Sequence, residues 1–244
     1  MYVAGRFGCH LDCYDSSSEF VQNATNRTEV LGLASNVSFT NRDVNNLEVT
    51  PSAYDAGVCL GALYMFRDAG WKALVNGVKP GGFLVVSDLH CKKVPAPKEV
   101  MEVFFEEEDQ PLTLEDARHL YTSRGVKILR EEECSRKVWL DYYDLTRKML
   151  LHLAKKYSSD DAKQAEIEEA LREDRLVRDI GEEYLGYRTF VMQKLSANHY
   201  RSCLSNRFTR RSSDNQVLSH RMDDRQASLH SIGIFDRAQG PSTK

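Results

Sequence analysis

The residues best placed to do chemistry are two aspartates. Cys-His-Leu-Asp-Cys-Tyr-Asp at 9–15 alternates as a strand does and ends in Asp15, followed by Ser16, Ser17 and Ser18, residue types that start helices. A carboxylate at the carboxyl end of a parallel strand can accept two hydrogen bonds from a ribose diol. The next strand, 36–41, runs into Asn41-Arg42-Asp43-Val44. There Asp43 can accept from an exocyclic adenine amine while the neighbouring backbone amide meets a ring nitrogen. Together the two would hold a nucleoside. Each also has a plainer alternative: Asp15 as a helix-capping carboxylate, Asp43 as the polar residue of an ordinary turn.

Other chemistries lack support. Cys9, His10 and Cys13 have soft-metal ligand types, but alternation along a strand puts His10 opposite both thiols and supplies no fourth ligand, so no metal site is expected. Glycine-rich phosphate loops of the GxxxxGK[ST] or GxGxxG form and the G-x-S-x-G nucleophile elbow are absent from the sequence.

The elements that must position the aspartates alternate short β-rich runs with longer helical patterns from Phe7 to Lys194, which predicts a layered α/β domain with a mainly parallel sheet. Strands are predicted at 9–15, 36–41, 55–60, 82–88, 126–129 and 187–192. Helices are predicted from Ser16 to about 34, over roughly 69–78, from Thr113 to Gly125, and as a pair across 138–179. Lys79-Pro80-Gly81-Gly82 is a stop signal with a turn before the fourth strand. The acidic run Glu106–Asp109 reads as a solvated face or loop.

Residues 1–194 are thus expected to form the domain. In 195–244 basic residues outnumber acidic ones, polar types dominate and apolar residues follow no period, so this tail is expected to be disordered. With 33 Lys plus Arg against 36 Asp plus Glu, the net charge of -3 creates no field for nucleic acid or anionic lipid, and no apolar stretch has membrane-spanning length. Neither partner is expected. Six irregularly spaced cysteines and no basic segment followed by an apolar region at the N-terminus set the expectation of reduced thiols and a cytoplasmic protein. No pattern speaks to oligomeric state.

The order of four segments carries a resemblance: 9–15; 36–44; Tyr-Asp-Ala-Gly-Val-Cys-Leu-Gly-Ala-Leu-Tyr-Met-Phe at 54–66; and Val-Lys-Pro-Gly-Gly-Phe-Leu-Val-Val-Ser-Asp at 78–88. A last strand, Gly-Tyr-Arg-Thr-Phe-Val-Met-Gln-Lys at 186–194, extends it. The set resembles the class I S-adenosylmethionine-dependent methyltransferases. This resemblance implies a Rossmann-like sheet with helices on both faces, S-adenosylmethionine as cofactor, and methyl transfer to a small-molecule acceptor. Carried over residue by residue, it implies that Asp15 with Ser16 binds the ribose, Asp43 with Val44 the adenine, and Leu60 with Gly61 the methionine side. It places Asp88 and His90 toward the acceptor, with His90 as the base where the acceptor must lose a proton. The segment 138–179 resembles a cap inserted before the last strand, so Tyr64, Trp139, Tyr142 and Tyr143 are expected around the acceptor. Aromatic residues at helical spacing also serve as plain packing, which is expected for at least one of the last three.

The chain departs from the family pattern in one respect. Class I methyltransferases begin with a strand that runs into a glycine-rich loop approaching the cofactor's methionine moiety. Here Met1–Gly8 reads as the last turn of the helix after that loop, so the sheet is expected to be N-terminally incomplete and to lack a central strand. The competing expectation is a catalytically inactive fragment or interaction module that has lost cofactor binding. A nucleotide-binding oxidoreductase is a third, with no nicotinamide signature behind it.

Overall fold

The computed structural model describes residues 1–63, 67–104, 112–196 and 232–236. Tyr64, the run Glu106–Asp109 and most of the expected tail lie outside these residues. The chain divides into two compact units, the first made of Met1–Ser87, Tyr121–Arg130 and Phe190–Lys244, the second of Asp88–Leu120 and Glu131–Thr189.

In the first unit, α1 (Tyr2–Phe7) ends at Gly8, whose φ of 64° closes the helix in the left-handed region and leads the chain into β1 (His10–Asp15). Ser17 caps α2 (Ser18–Val30), its hydroxyl accepting from Phe20 N at 3.3 Å. The chain returns as β2 (Val37–Asn41), parallel to β1, with Leu11 beside Val37 and Asp15 beside Asn41. Ala4, Leu11 and Val37 form a small core against which Leu33 and Phe39 pack.

After a 3₁₀ turn (Val44–Asn46) come β3 (Tyr54–Leu60), α3 (Arg67–Gly77) and β4 (Val78–Cys91), the last parallel to β3 as the predicted crossover requires. The Pro-Gly-Gly signal lies inside β4 rather than before it. Pairing jumps from Tyr54–Val78 to Ala56–Phe83, Gly81 takes a φ of 82°, and a Cβ on Gly82 would stand 2.6 Å from Asp55 O. A bulge tolerates these residues because they stand outside the regular ladder.

Next, α5 (Leu114–Ser123) leads through Gly125, with φ of 85°, to β5 (Val126–Glu133), and the chain later returns as β6 (Leu185–Lys194). Trp71 of α3 stacks on Tyr121 of α5 at 4.8 Å, and Tyr121 meets Phe190 of β6 edge-on at 5.1 Å. Lys194 Nζ donates to Val75 O at 2.6 Å and Val78 O at 2.7 Å, a cation on the carbonyl end of α3.

With Ile232–Asp236 as β7, the strand order is β2-β1-β7-β3-β4-β6-β5. Sequence reading ends the sheet at the sixth strand, expects a disordered tail and leaves the central place empty; for Ile232–Asp236 this needs correction. That segment is β7, antiparallel both to His10–Tyr14 of β1 and to Ala56–Cys59 of β3. The reason is pairing. The facing edges of β1 and β3 carry backbone groups that need partners, and five residues of extended chain satisfy both.

The second unit contains Asp88–Cys91 of β4, Glu131–Glu133 of β5 and Leu185–Thr189 of β6, with α4 (Lys98–Glu102). It also contains the predicted helix pair, α6 (Arg136–Lys156) and α7 (Asp161–Leu176). Ser135 and Asp160 cap these helices, accepting from Val138 N at 3.3 Å and Lys163 N at 3.1 Å. A π-helical turn, Val177–Gly181, and the short α8 (Glu182–Tyr184) then lead into β6. No helix among the described residues is long and apolar enough to cross a membrane.

Candidate functional site

β1 and β2 are parallel, and β1 and β3 share an antiparallel partner, so Asp15, Asn41 and Leu60 finish on one edge of the sheet. β7 begins there, Ile232 pairing with both Tyr14 and Cys59. Asp15 is only 7% exposed. Its Oδ1 accepts from Ser17 N at 2.8 Å, while Oδ2 makes no hydrogen bond among the described residues. Asn41 Nδ2 braces the turn by donating to Asp15 O at 3.0 Å and Ser16 O at 2.8 Å; Ser16 itself is exposed. The plainer role of Asp15, a local cap, therefore uses one of the roughly four acceptor sites of a carboxylate.

Asp43 is more fully engaged. It caps the 3₁₀ turn, Oδ1 accepting from Asn45 N at 2.9 Å and Asn45 Nδ2 at 3.1 Å, and Oδ2 from Asn46 Nδ2 at 3.1 Å. The polar-turn alternative is thus present in the structure. Asp43 is nevertheless exposed, beside a buried Val44. At the tip of β3, Leu60 is 56% exposed. Gly61 turns away with a φ of 73°, and a Cβ there would meet nothing within 4 Å among the described residues, so on their side this tip is open.

In the second unit, alternation along β4 places Asp88 and His90 on one face. Both are buried. Asp88 Oδ1 accepts from Leu89 N at 3.0 Å. His90 lies within β4: its Nε2 stands 3.5 Å from Glu133 Oε2, and its Nδ1 is buried with no hydrogen-bond partner among the described residues. Burial holds the imidazole below its ordinary pKa; Arg188, Lys92 and Arg118 push the same way, and Glu133 opposes them. Trp139 is buried and packs against Tyr143 at 5.3 Å and Tyr187 at 5.9 Å, so this member of the aromatic trio is packing. Tyr142 is 64% exposed and meets Tyr143 edge-on at 5.2 Å.

Sequence reading missed Glu133, Arg188 and Gly186. The fifth strand expected at 126–129 continues through Arg-Glu-Glu-Glu to Glu133. β6 lies between β4 and β5, and Gly186 leaves a gap over it: a Cβ there would stand 2.4 Å from Glu133 Oε1, 2.5 Å from Lys92 Cε and 3.0 Å from His90 Cε1. The available signal was a glycine inside a strand pattern, a mark of close approach, with Arg188 two residues on. Arg188 Nε donates to Glu133 Oε2 at 3.0 Å and its Nη1 to Glu131 Oε2 at 3.2 Å, and Arg118 grips Glu131 through Nε and Nη2 at 2.8–3.1 Å.

No protein-family model matches the chain. It is similar to YjhP, an uncharacterized protein of Escherichia coli (strain K12), at 30% identity over 91 residues, a match spanning 36% of this chain and 36% of that relative. Among solved structures it is similar to a candidate sarcosine dimethylglycine methyltransferase of Galdieria sulphuraria, with TM-score 0.67 and 16% identity over 80% of this chain and 72% of that one. A methyltransferase of Geobacter sulfurreducens in complex with S-adenosyl-L-homocysteine gives TM-score 0.61 and 19% identity over 74% of both chains. The YjhP structure gives 0.62 and 20% over 80% of this chain and 78% of that one. The chain has the Rossmann-like fold of the class I S-adenosylmethionine-dependent methyltransferases.

Proposed function

We propose that this chain binds S-adenosylmethionine and transfers its methyl group to a small-molecule acceptor. The observation that carries this reading is Asp15, a carboxylate at a parallel strand tip whose Oδ2 makes no hydrogen bond among the described residues, on the same sheet edge as Gly61 and the exposed Leu60. These residues fit the nucleoside part of the cofactor. Asp15 with Ser16 receives the ribose hydroxyls, Asp43 with Val44 the adenine, and the exposed Leu60 with Gly61 the methionine side.

The bound cofactor supplies a methyl group made electrophilic by its sulfonium. His90, neutral through burial, takes up at Nδ1 the proton of an acceptor that must lose one, and Asp88 lies on the same face of β4. Tyr142 and Tyr143 offer rings to the acceptor's apolar part, and Tyr64 belongs to the same assignment. The Galdieria sulphuraria neighbour makes small amines the first acceptors to test.

Calorimetry of the purified chain with S-adenosylmethionine and S-adenosylhomocysteine tests the reading. Saturable one-to-one binding is expected, followed by S-adenosylhomocysteine release with a member of a small-amine panel. Absence of binding refutes it and favours a second reading, a non-catalytic interaction module. The observation behind that alternative is β7, which fills the place between β1 and β3 in the antiparallel sense. A strand running that way does not deliver a glycine-rich loop to the edge where Asp15 stands.

A further inference from the structure

We propose that Glu133 is a positioning residue for His90: its carboxylate fixes the imidazole as the Nε2–H tautomer and so leaves Nδ1 as the proton-accepting atom. The inference rests on the reading of His90 as the base.

A carboxylate only accepts hydrogen bonds, and a neutral imidazole has one N–H and one lone pair. Glu133 Oε2 stands 3.5 Å from Nε2, at the long limit of hydrogen-bond reach, so the ring proton is stabilised on that nitrogen. The opposite tautomer would set the Nε2 lone pair against carboxylate oxygen and bury an N–H at Nδ1 where no acceptor stands among the described residues. An unmet buried donor is unfavourable by about 1–3 kcal/mol. The Nε2–H form leaves only an open lone pair at Nδ1.

Glu133 is itself held. Arg188 donates to its Oε2 through Nε at 3.0 Å and approaches with Nη2 at 2.9 Å, and Arg188 is anchored in turn on Glu131, which Arg118 grips. Lys92 Nζ lies 3.7 Å from Glu133 Oε1. The groups facing His90 are therefore Glu133 and, behind it, Glu131 on β5, Arg188 on β6, Lys92 just past the end of β4 and Arg118 on α5. Burial, with Arg188, Lys92 and Arg118 acting in the same direction and Glu133 against it, holds the pKa of the ring down until it takes the acceptor's proton at Nδ1. The resulting imidazolium then has the Glu133 carboxylate against its other nitrogen. Gly186 makes the arrangement possible, since any side chain there would fill the space in which Glu133, Lys92 and His90 meet.

The test is long-range proton–nitrogen NMR of the ¹⁵N-labelled full chain, with the His90 signals identified by their loss in His90→Gln. The wild-type ring is expected as the Nε2–H tautomer in an excess of about ten-fold, the ratio that corresponds to a difference of about 1.4 kcal/mol. In Glu133→Leu the ratio falls toward even. The His90 titration midpoint moves to lower pH, because the one group opposing its depression is gone. Glu133→Gln, close in shape, shows the same titration shift should the leucine variant not fold. A purely packing role for Glu133 would leave the midpoint in place. Observation of the Nδ1–H form in wild type, or an unmoved midpoint in both variants, overturns the proposal. Calorimetry with S-adenosylhomocysteine on the same samples separates the two claims: loss of binding in wild type refutes methyl transfer, whereas the tautomer judges Glu133 alone.

Discussion

Replacing Asp15 by asparagine separates the two tasks that the structure gives this side chain. Asparagine retains a carbonyl oxygen that can accept from Ser17 N, the 2.8 Å contact joining β1 to α2, so the fold is expected to survive with little loss. The variant loses the negative charge, and an amide donor takes the place of Oδ2, which accepts no hydrogen bond among the described residues. A hydrogen bond to a charged group contributes about 1.5–3 kcal/mol, so loss of one ribose contact weakens S-adenosylhomocysteine binding about ten- to hundred-fold. Asp15→Ala removes the Ser17 contact as well and additionally lowers stability by about 1 kcal/mol. Calorimetry gives the affinities and thermal denaturation the stabilities. Should Asp15→Asn bind S-adenosylhomocysteine as tightly as wild type, the carboxylate is a cap and nothing more, and the nucleoside assignment at this edge falls.

Four further outcomes are expected. Ile234→Pro removes a backbone donor from a strand flanked on both sides and is expected to expose to hydrogen exchange the Asp12 and Tyr14 amides, which face β7 because Leu11 N donates to Asn36 O on the β2 side; unchanged protection would show that β7 does not fill this place. Gly186→Ala forces a Cβ to 2.4 Å from Glu133 Oε1 and lowers stability by about 1–3 kcal/mol, whereas an unaltered melting temperature would contradict the close approach. Burial pushes the Cys13 thiol up to about 11, so native protein at pH 8 leaves Cys13 unalkylated and unfolded protein does not; mass spectrometry decides. The His90 value in the folded state lies below that of the unfolded chain, so its contribution to stability is complete above about pH 6.5 and is lost as the pH falls through that value toward the folded one. Melting temperatures between pH 7 and 5 are expected to fall less steeply in His90→Gln.

The six regular strands were legible because each carries its own signal. β1 alternates, β3 and β4 flank a helix closed by glycine, and the helix pair α6 and α7 announces itself by apolar spacing and by Ser135 and Asp160 as caps. Asp15 was legible for the same reason: a carboxylate closing a strand before a run of serines is a local pattern. What escaped depends on distant partners. Nothing in Ile-Gly-Ile-Phe-Asp says that it pairs with β1 and β3, since five residues gain their order only from edges far away in sequence. Glu133 was hidden by its own charge, which reads as solvated until Arg188 and the gap at Gly186 are placed around it. Asp43 shows the opposite limit, for its types and spacing suited a nucleoside and a turn alike, and the turn now holds both of its oxygens.

The direction and position of β7 bear on how the molecule is assembled. A ribosome releases β1 and β3 long before Ile232–Asp236 emerges, so the seam between them stays open while every other described element is already available to fold. Two unpaired edges facing one another are a template for any extended strand nearby, including the same segment of a neighbouring nascent chain. Completion of the sheet thus waits on translation, and yield in expression should depend on how well that interval is guarded by chaperones or by low temperature.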